Sequence, residues 1–321
     1  DRPIADTINY GPDWEYFKLE WNGVIIPGGI GGIQVALILP HPTIADRYYI
    51  FYTTFDRSNT FYNNYQILNA LFDVGNQNKE GTLITKDIKI LEDSLSGSIT
   101  AVRHGNGRDW WLIAPRRNGI EANVFLSDPK GIQFYGRYHS GFEDPKLPSG
   151  GVGQVYASPD GSWVSWYAGG RFENQGSRLL LSRFDRCTGQ LYDSSMKVVD
   201  SQYGLGMGVS FSPNSRYLYM CNRQYIYQYN LNHAEPLKSE RLVAVYDGYE
   251  YIFPENPTGW GWPVDFCYLG LAPDGRIYVS SASSGTRMMS AIEYPDERGE
   301  ACEVRQHSVP MPTMISRGIP N

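Results

Sequence analysis

Chemistry in this 321-residue chain would have to start from a small set of side chains. Histidines occur at 41, 104, 139, 233 and 307, too scattered for a metal motif, and the four cysteines form no close pair of zinc-binding spacing. No acidic calcium loop, nucleophile elbow or phosphate-cradling glycine loop is present. Glu143 with Asp144, and Asp296 with Glu297, are adjacent carboxylates of the kind that ordinarily face water. The residues therefore point to no catalytic group, no metal and no cofactor. Their stronger signal is aromatic. Trp260 and Trp262 flank Gly261 in the proline-rich loop PENPTGWGWP (254–263), with Tyr249 and Tyr251 just upstream. Exposed aromatic side chains are favoured at interfaces, so these four are binding candidates. The glycine-rich loop YAGGRFENQG (167–176) adds Arg171 and Glu173, because inserts of this kind often carry contacts.

These loops need a scaffold, and a repeat supplies it. The stretch SITAVRHGNGRDWWLIAPRRNG (98–119) reads as two strands joined by a tight Asn-Gly turn. Turn residues recur at Asp46, Asn106, Asp160, Asn214 and Asp274, in steps of 60, 54, 54 and 60 residues. Each follows a short apolar run and precedes an aromatic or β-branched one, the composition of strands. Second hairpins follow, clearest at 179–199 and 225–246. About four strands per roughly 55 residues is the size of a propeller blade. Such a sheet cannot bury both faces alone, so neighbouring blades must cover it. The expected fold is an all-β propeller of four-stranded blades. Five blades are visible, and six or seven are reached if the terminal segments contribute. Residues 1–33 are read as an N-terminal segment, a remnant or closing blade, and 34–321 as the propeller domain. Trp110, Trp111, Trp163 and Trp166 follow the blade turns and should fill the wedges between blades. The most loaded turn, His104 with Arg103, Arg108 and Asp109, reads better as a lock between hairpins than as a site.

Composition agrees. Aromatics make up 14% and charged residues 19% of the chain, with 34 glycines and 20 prolines, which is turn-rich rather than disordered. A net charge of −6 with no basic run lacks the footprint of general nucleic-acid binding. No apolar stretch is long enough to span a membrane. The chain begins at Asp1 without a charged-then-apolar leader and reads as a processed or trimmed segment. In the blade register Cys221 closes one strand and Cys267 opens a strand of the next blade, which makes 221–267 the one feasible intrachain disulfide. Cys187 and Cys302 fall on outer turns two blades apart, beyond disulfide reach.

Several segments taken in order, among them Ile99-Thr-Ala-Val-Arg-His-Gly-Asn-Gly-Arg-Asp-Trp-Trp, Phe184-Asp-Arg-Cys-Thr-Gly, Phe211-Ser-Pro-Asn-Ser-Arg-Tyr-Leu-Tyr, Leu271-Ala-Pro-Asp-Gly-Arg-Ile-Tyr and the closing Ile319-Pro-Asn, carry a resemblance. Over about 33–321 the chain resembles the secreted WD40-like β-propellers of Bacteroidota, which commonly end in a type IX secretion sorting domain. The resemblance implies export to the medium or cell surface and brings no catalytic motif with it. The expectation is a noncatalytic propeller that binds protein or glycan at the cell surface, in adhesion or in an assembly with other copies or domains. Two alternatives stand beside it: a secreted glycan-active enzyme, lyase or hydrolase, and a purely architectural module of a longer surface protein.

Overall fold

The computed structural model describes residues 34–54, 66–75, 81–142, 153–168, 177–199, 208–254, 259–283 and 285–315, together with the backbone of 19–21, 24–26, 55–56 and 63–65. The two N-terminal strands, β1 (Leu19–Trp21) and β2 (Val24–Ile26), pair antiparallel as a two-stranded ribbon. The rest of the 1–33 segment, including Trp14, Tyr16 and Phe17, lies outside the described residues.

The fold is a β-propeller with five four-stranded antiparallel blades, each a simple meander. Blade one holds β3 (Ala36–Pro40), β4 (Arg47–Asp56), β5 (Asn63–Asp73) and β6 (Thr82–Leu95). Blade two holds β7 (Thr100–Arg103), β8 (Trp110–Pro115), β9 (Glu121–Asp128) and β10 (Gly131–His139). Blade three holds β11 (Val155–Ala157), β12 (Trp163–Ala168), β13 (Ser177–Asp185) and β14 (Gln190–Val199). Blade four holds β15 (Gly208–Phe211), β16 (Tyr217–Asn222), β17 (Tyr225–Asn230) and β18 (Arg241–Val245). A short hairpin, β19 (Glu250–Tyr251) with β20 (Trp262–Pro263), precedes blade five, which holds β21 (Leu269–Leu271), β22 (Ile277–Val279), β23 (Thr286–Ile292) and β24 (Val304–Ile315).

The core lies between the blades, not within any one of them. Val102, Trp111 and Val124 of blade two pack on Val164, Trp166 and Leu180 of blade three, and Trp163, Leu179 and Leu181 pack on Val209, Phe211 and Met220 of blade four. Second strands such as β8 and β12 are buried along nearly their whole length because a neighbouring sheet covers each face. Burial of this apolar surface is the main favourable term in folding.

The repeating turns work as their sequence suggests. The side-chain oxygens of Asn106, Asp160, Asn214 and Asp274 each accept the backbone N–H two residues on, at 2.9–3.1 Å. The following residue has positive φ in each case: Gly107, Gly161, Ser215 and Gly275. Blade one differs by one position, since Asp46 itself takes the left-handed conformation at φ 61°. The tryptophans lock blades as well as fill them. Trp111 Nε1 donates to Arg186 O of blade three, and Trp166 Nε1 donates back to Gly119 O of blade two, both at 2.8 Å. The His104 turn is a lock too: Arg108 and Asn106 hold Asp109, and Gly105 N donates to Arg186 O.

Near the axis two glutamines bind the inner strands together. Gln154 Oε1 accepts Val209 N (3.2 Å) and Leu269 N (2.9 Å), while its Nε2 donates to Leu269 O (3.0 Å). Gln34 Oε1 accepts Val155 N at 2.8 Å. One amide thus reaches from blade one to blade three, and another joins blades three, four and five. The inner strands converge closely enough for a single side chain to bridge them.

The expected disulfide is corrected. Cys221 and Cys267 do sit at the interface of blades four and five, but no disulfide joins them. Cys221 Sγ donates to Cys267 O at 3.1 Å, so it turns to the carbonyl instead of the partner sulfur. Burial pushes the Cys221 thiol up to about 12, which leaves it unreactive.

Candidate functional site

The aromatic loop singled out in the sequence becomes the β19–β20 hairpin, inserted between blades four and five. Two of its glycine contacts explain the Trp-Gly-Trp pattern. A Cβ on Gly261 would lie 2.3 Å from Glu250 Oε2, so the Glu250 side chain crosses the backbone there. A Cβ on Gly285 would lie 2.7 Å from the indole of Trp262, which packs flat on that turn of blade five. Trp262 is thereby half-anchored, at 42% exposure, while Trp260 is 92% exposed. Tyr251 is half-buried, edge-on to Phe253 at 5.2 Å. Arg171 and Glu173, the other binding candidates, lie outside the described residues.

Polar groups that the sequence reading did not select surround this hairpin. Asp247 Oδ2 meets His307 Nε2 at 3.0 Å, joining the chain just after β18 to the outer strand of blade five. Three further contacts hold the pair. Asp247 Oδ1 accepts Tyr249 N at 3.0 Å, Gln306 Oε1 accepts Asp247 N at 3.1 Å, and Gln306 Nε2 donates to Val245 O at 2.8 Å. The Tyr249 ring stacks on the His307 imidazole, with centroids 4.0 Å apart and planes 20° apart. His307 has a φ of 38°, an unusual backbone for a non-glycine residue. With Nε2 held by the carboxylate, Nδ1 has no hydrogen-bond partner among the described residues, and the side chain is 34% exposed.

Beneath the hairpin, Asp265 is buried. Its Oδ2 takes Arg223 Nε at 2.6 Å, and its Oδ1 takes Ser281 Oγ and Ala282 N, each at 3.0 Å. Pro263 O lies 2.7 Å from the same Ser281 Oγ, so the one hydroxyl proton is shared between that carbonyl and the buried carboxylate, at the base of the hairpin. Tyr246 lies among the acids. Burial, then the negative charges of Asp265, Glu250 and Asp247, push its phenol up to about 12. Its hydroxyl donates to Tyr249 O at 2.5 Å.

The hairpin therefore gathers one exposed indole, one anchored indole, an accessible carboxylate at Glu250 and a carboxylate-oriented imidazole. The structure brings Trp260, Trp262, Tyr249 and Tyr251 together, as a shared loop requires. Asp247 and His307 come from positions 60 residues apart, and no local motif links them. No group of three or more His, Cys, Asp or Glu side chains that could hold a metal ion occurs among the described residues. No helix there is long and apolar enough to cross a membrane.

No protein-family model matches the chain, and no curated protein matches it. Solved structures do share its architecture. A functionally unknown protein from Desulfotomaculum acetoxidans is 13% identical, with a TM-score of 0.46 over 93% of this chain and 79% of that one. A protein assigned as a 6-phosphogluconolactonase from Bacteroides uniformis is 14% identical, with a TM-score of 0.46 over 85% and 84%. The periplasmic gluconolactonase of Pseudomonas aeruginosa is 13% identical, with a TM-score of 0.47 over 84% and 70%. At these values the likeness is one of fold. Against the expectation of a noncatalytic adhesion propeller, two of these three neighbours are named as lactonases. Absence of a catalytic motif in the sequence was weak ground for that expectation, because propeller loops bring together residues from distant blades.

Proposed function

We propose that this propeller is a glycan-active hydrolase working at the hairpin between blades four and five. One observation carries the reading: His307 is held by Asp247 through Nε2 and stacked on Tyr249, with Nδ1 left to exchange a proton. An imidazole oriented by a carboxylate is a standard device for moving protons in hydrolysis. Sugar faces stack on aromatic rings, and Trp260 offers one almost fully exposed beside the Glu250 carboxylate. In this reading Trp260 and Trp262 seat the glycan. His307 Nδ1 takes a proton from water or gives one to the departing oxygen, and Glu250 serves as the second acid–base group. A surface or extracellular polysaccharide as substrate agrees with the export that the resemblance to secreted propellers implies.

The test is release of reducing ends from a panel of polysaccharides by purified protein, with ester and lactone substrates as separate arms. His307→Gln should lower kcat about 100-fold, the lower end of what general acid–base catalysis contributes. It should leave the thermal midpoint close to that of the wild type. Turnover confined to esters or lactones would keep the dyad and discard the glycan. A silent panel, or full activity in His307→Gln, would discard the proposal.

A further inference from the structure

A second site lies at the rim between blades two and three, away from the hairpin. A cleft of about 280 Å³ opens between the outer strand β10 and the start of β14. Its floor is apolar, from Val124 and Leu191, and its rim carries Tyr135, Arg137 and Gln190. A β-bulge creates it. The register of β10 against β9 shifts between Phe134 and Gly136, and a Cβ placed on Gly136 would meet nothing within 4 Å. Bulges commonly re-aim side chains beside functional sites.

We propose that this cleft binds a single neutral sugar ring. Three observations select that ligand. The volume is at the low end for ligand pockets, enough for one ring and too small for an extended oligomer. The Tyr135 ring is 54% exposed yet fixed, edge-on to the buried Trp111 at 4.8 Å, so it offers a rigid stacking face. The Arg137 guanidinium is turned away from the cleft onto blade one, held by Asp93 Oδ2 at 2.8 Å and Asn123 Oδ1 at 3.2 Å. That same Asp93 contact meets its charge. The cleft then presents the Gln190 amide and the Tyr135 face without a net cationic field, which suits hydroxyls better than a carboxylate or phosphate. Small ligand sites use few, fixed polar groups on an apolar floor in this way.

The site is independent of the hairpin and of any turnover there. Its test is ligand-observed NMR on the intact chain with glucose, galactose, mannose, N-acetylglucosamine and glucuronate, followed by isothermal titration of the best binder. Gly136→Leu fills the cleft from a position whose φ is not in the left-handed region, and Tyr135→Ala removes the stacking face. At least one neutral sugar should bind in the millimolar range, weakened tenfold or more by either variant and unchanged by Trp260→Ala. Thermal midpoints measured alongside exclude misfolding of the variants. No binding by any neutral sugar overturns the proposal. So does binding that survives Gly136→Leu, that disappears with Trp260→Ala, or that favours glucuronate over glucose.

Discussion

Two polar clusters join neighbouring blades, and they differ in what they leave unused. Between blades one and two, Asp93 accepts Arg116 Nε (2.9 Å), Arg116 Nη2 (2.8 Å), Arg137 Nη2 (2.8 Å), Asn123 Nδ2 (3.0 Å) and Ser94 N (2.7 Å). Glu121 takes the remaining nitrogen of Arg116 and the amide of Asn118. The two arginines balance the two acids, and the Asp93 side chain is only 10% exposed. Between blades four and five, Asp247 and His307 are 41% and 34% exposed, with one ring nitrogen uncommitted among the described residues. Both clusters are rich in charge, but only the second retains hydrogen-bonding capacity that a substrate could use. Charge density therefore does not mark a site in this ring; unsatisfied, accessible capacity does. The His104 turn makes the same point, since Arg108 and Asp109 are occupied with each other inside the turn.

The comparison predicts opposite stability costs. Asp93→Ala leaves two arginines facing a void, and breaking a largely buried pair from one side costs about 3–5 kcal/mol. Asp247→Ala should cost under about 1 kcal/mol, as exposed pairs do. Chemical denaturation of both variants decides it, and equal costs would erase the distinction. Acid sharpens the contrast. Burial alone would raise the Asp93 carboxyl, but the hydrogen bonds from Arg116, Asn123 and Ser94 outweigh it and hold it below the ordinary 3.8. A group depressed in the folded state binds fewer protons there than in the unfolded chain. Its stabilisation is present above the ordinary value and is lost as pH falls through the lower folded one. Stability of the wild type should therefore fall below about pH 4, and Asp93→Asn should flatten that slope. A slope identical in the two proteins would show that other carboxylates dominate.

The fold was legible in the sequence because turn chemistry is local. Asn106, Asp160, Asn214 and Asp274 bond to amides two residues away, so their spacing alone reports the blades. The tryptophan wedges were legible for a similar reason, as each follows its turn on a strand that must be covered. The site was only half legible. A Pro-rich loop with two tryptophans announces exposure, and Trp260 is exposed. Asp247 and His307 meet only after two outer strands come side by side, and nothing near either residue signals the other. Gln34 and Gln154 are equally silent, since a lone glutamine looks the same whether it hangs in water or bridges three blades. The cysteine register placed Cys221 beside Cys267 but could not say which way the sulfur turns.

The smallest structural effect belongs to the residue with the largest expected contact. Trp260 is 92% exposed, so Trp260→Ala removes almost no buried surface. Stability should change by no more than about 0.5 kcal/mol, as for surface positions generally. Stacking on an aromatic face is worth about 0.5–1.5 kcal/mol, which corresponds to roughly a two- to tenfold rise in KM. The kcat should stay near that of the wild type, because a platform binds the ground state and the transition state alike. Trp262 is the built-in control. Its indole rests on Gly285, so Trp262→Ala should cost stability as well as affinity, by about 1 kcal/mol if the buried half of the ring is lost. A Trp260 variant that loses kcat instead of affinity would move the indole from the platform to the proton-transfer step. Equal stability losses in the two variants would mean that the hairpin folds as one packed unit with no free face.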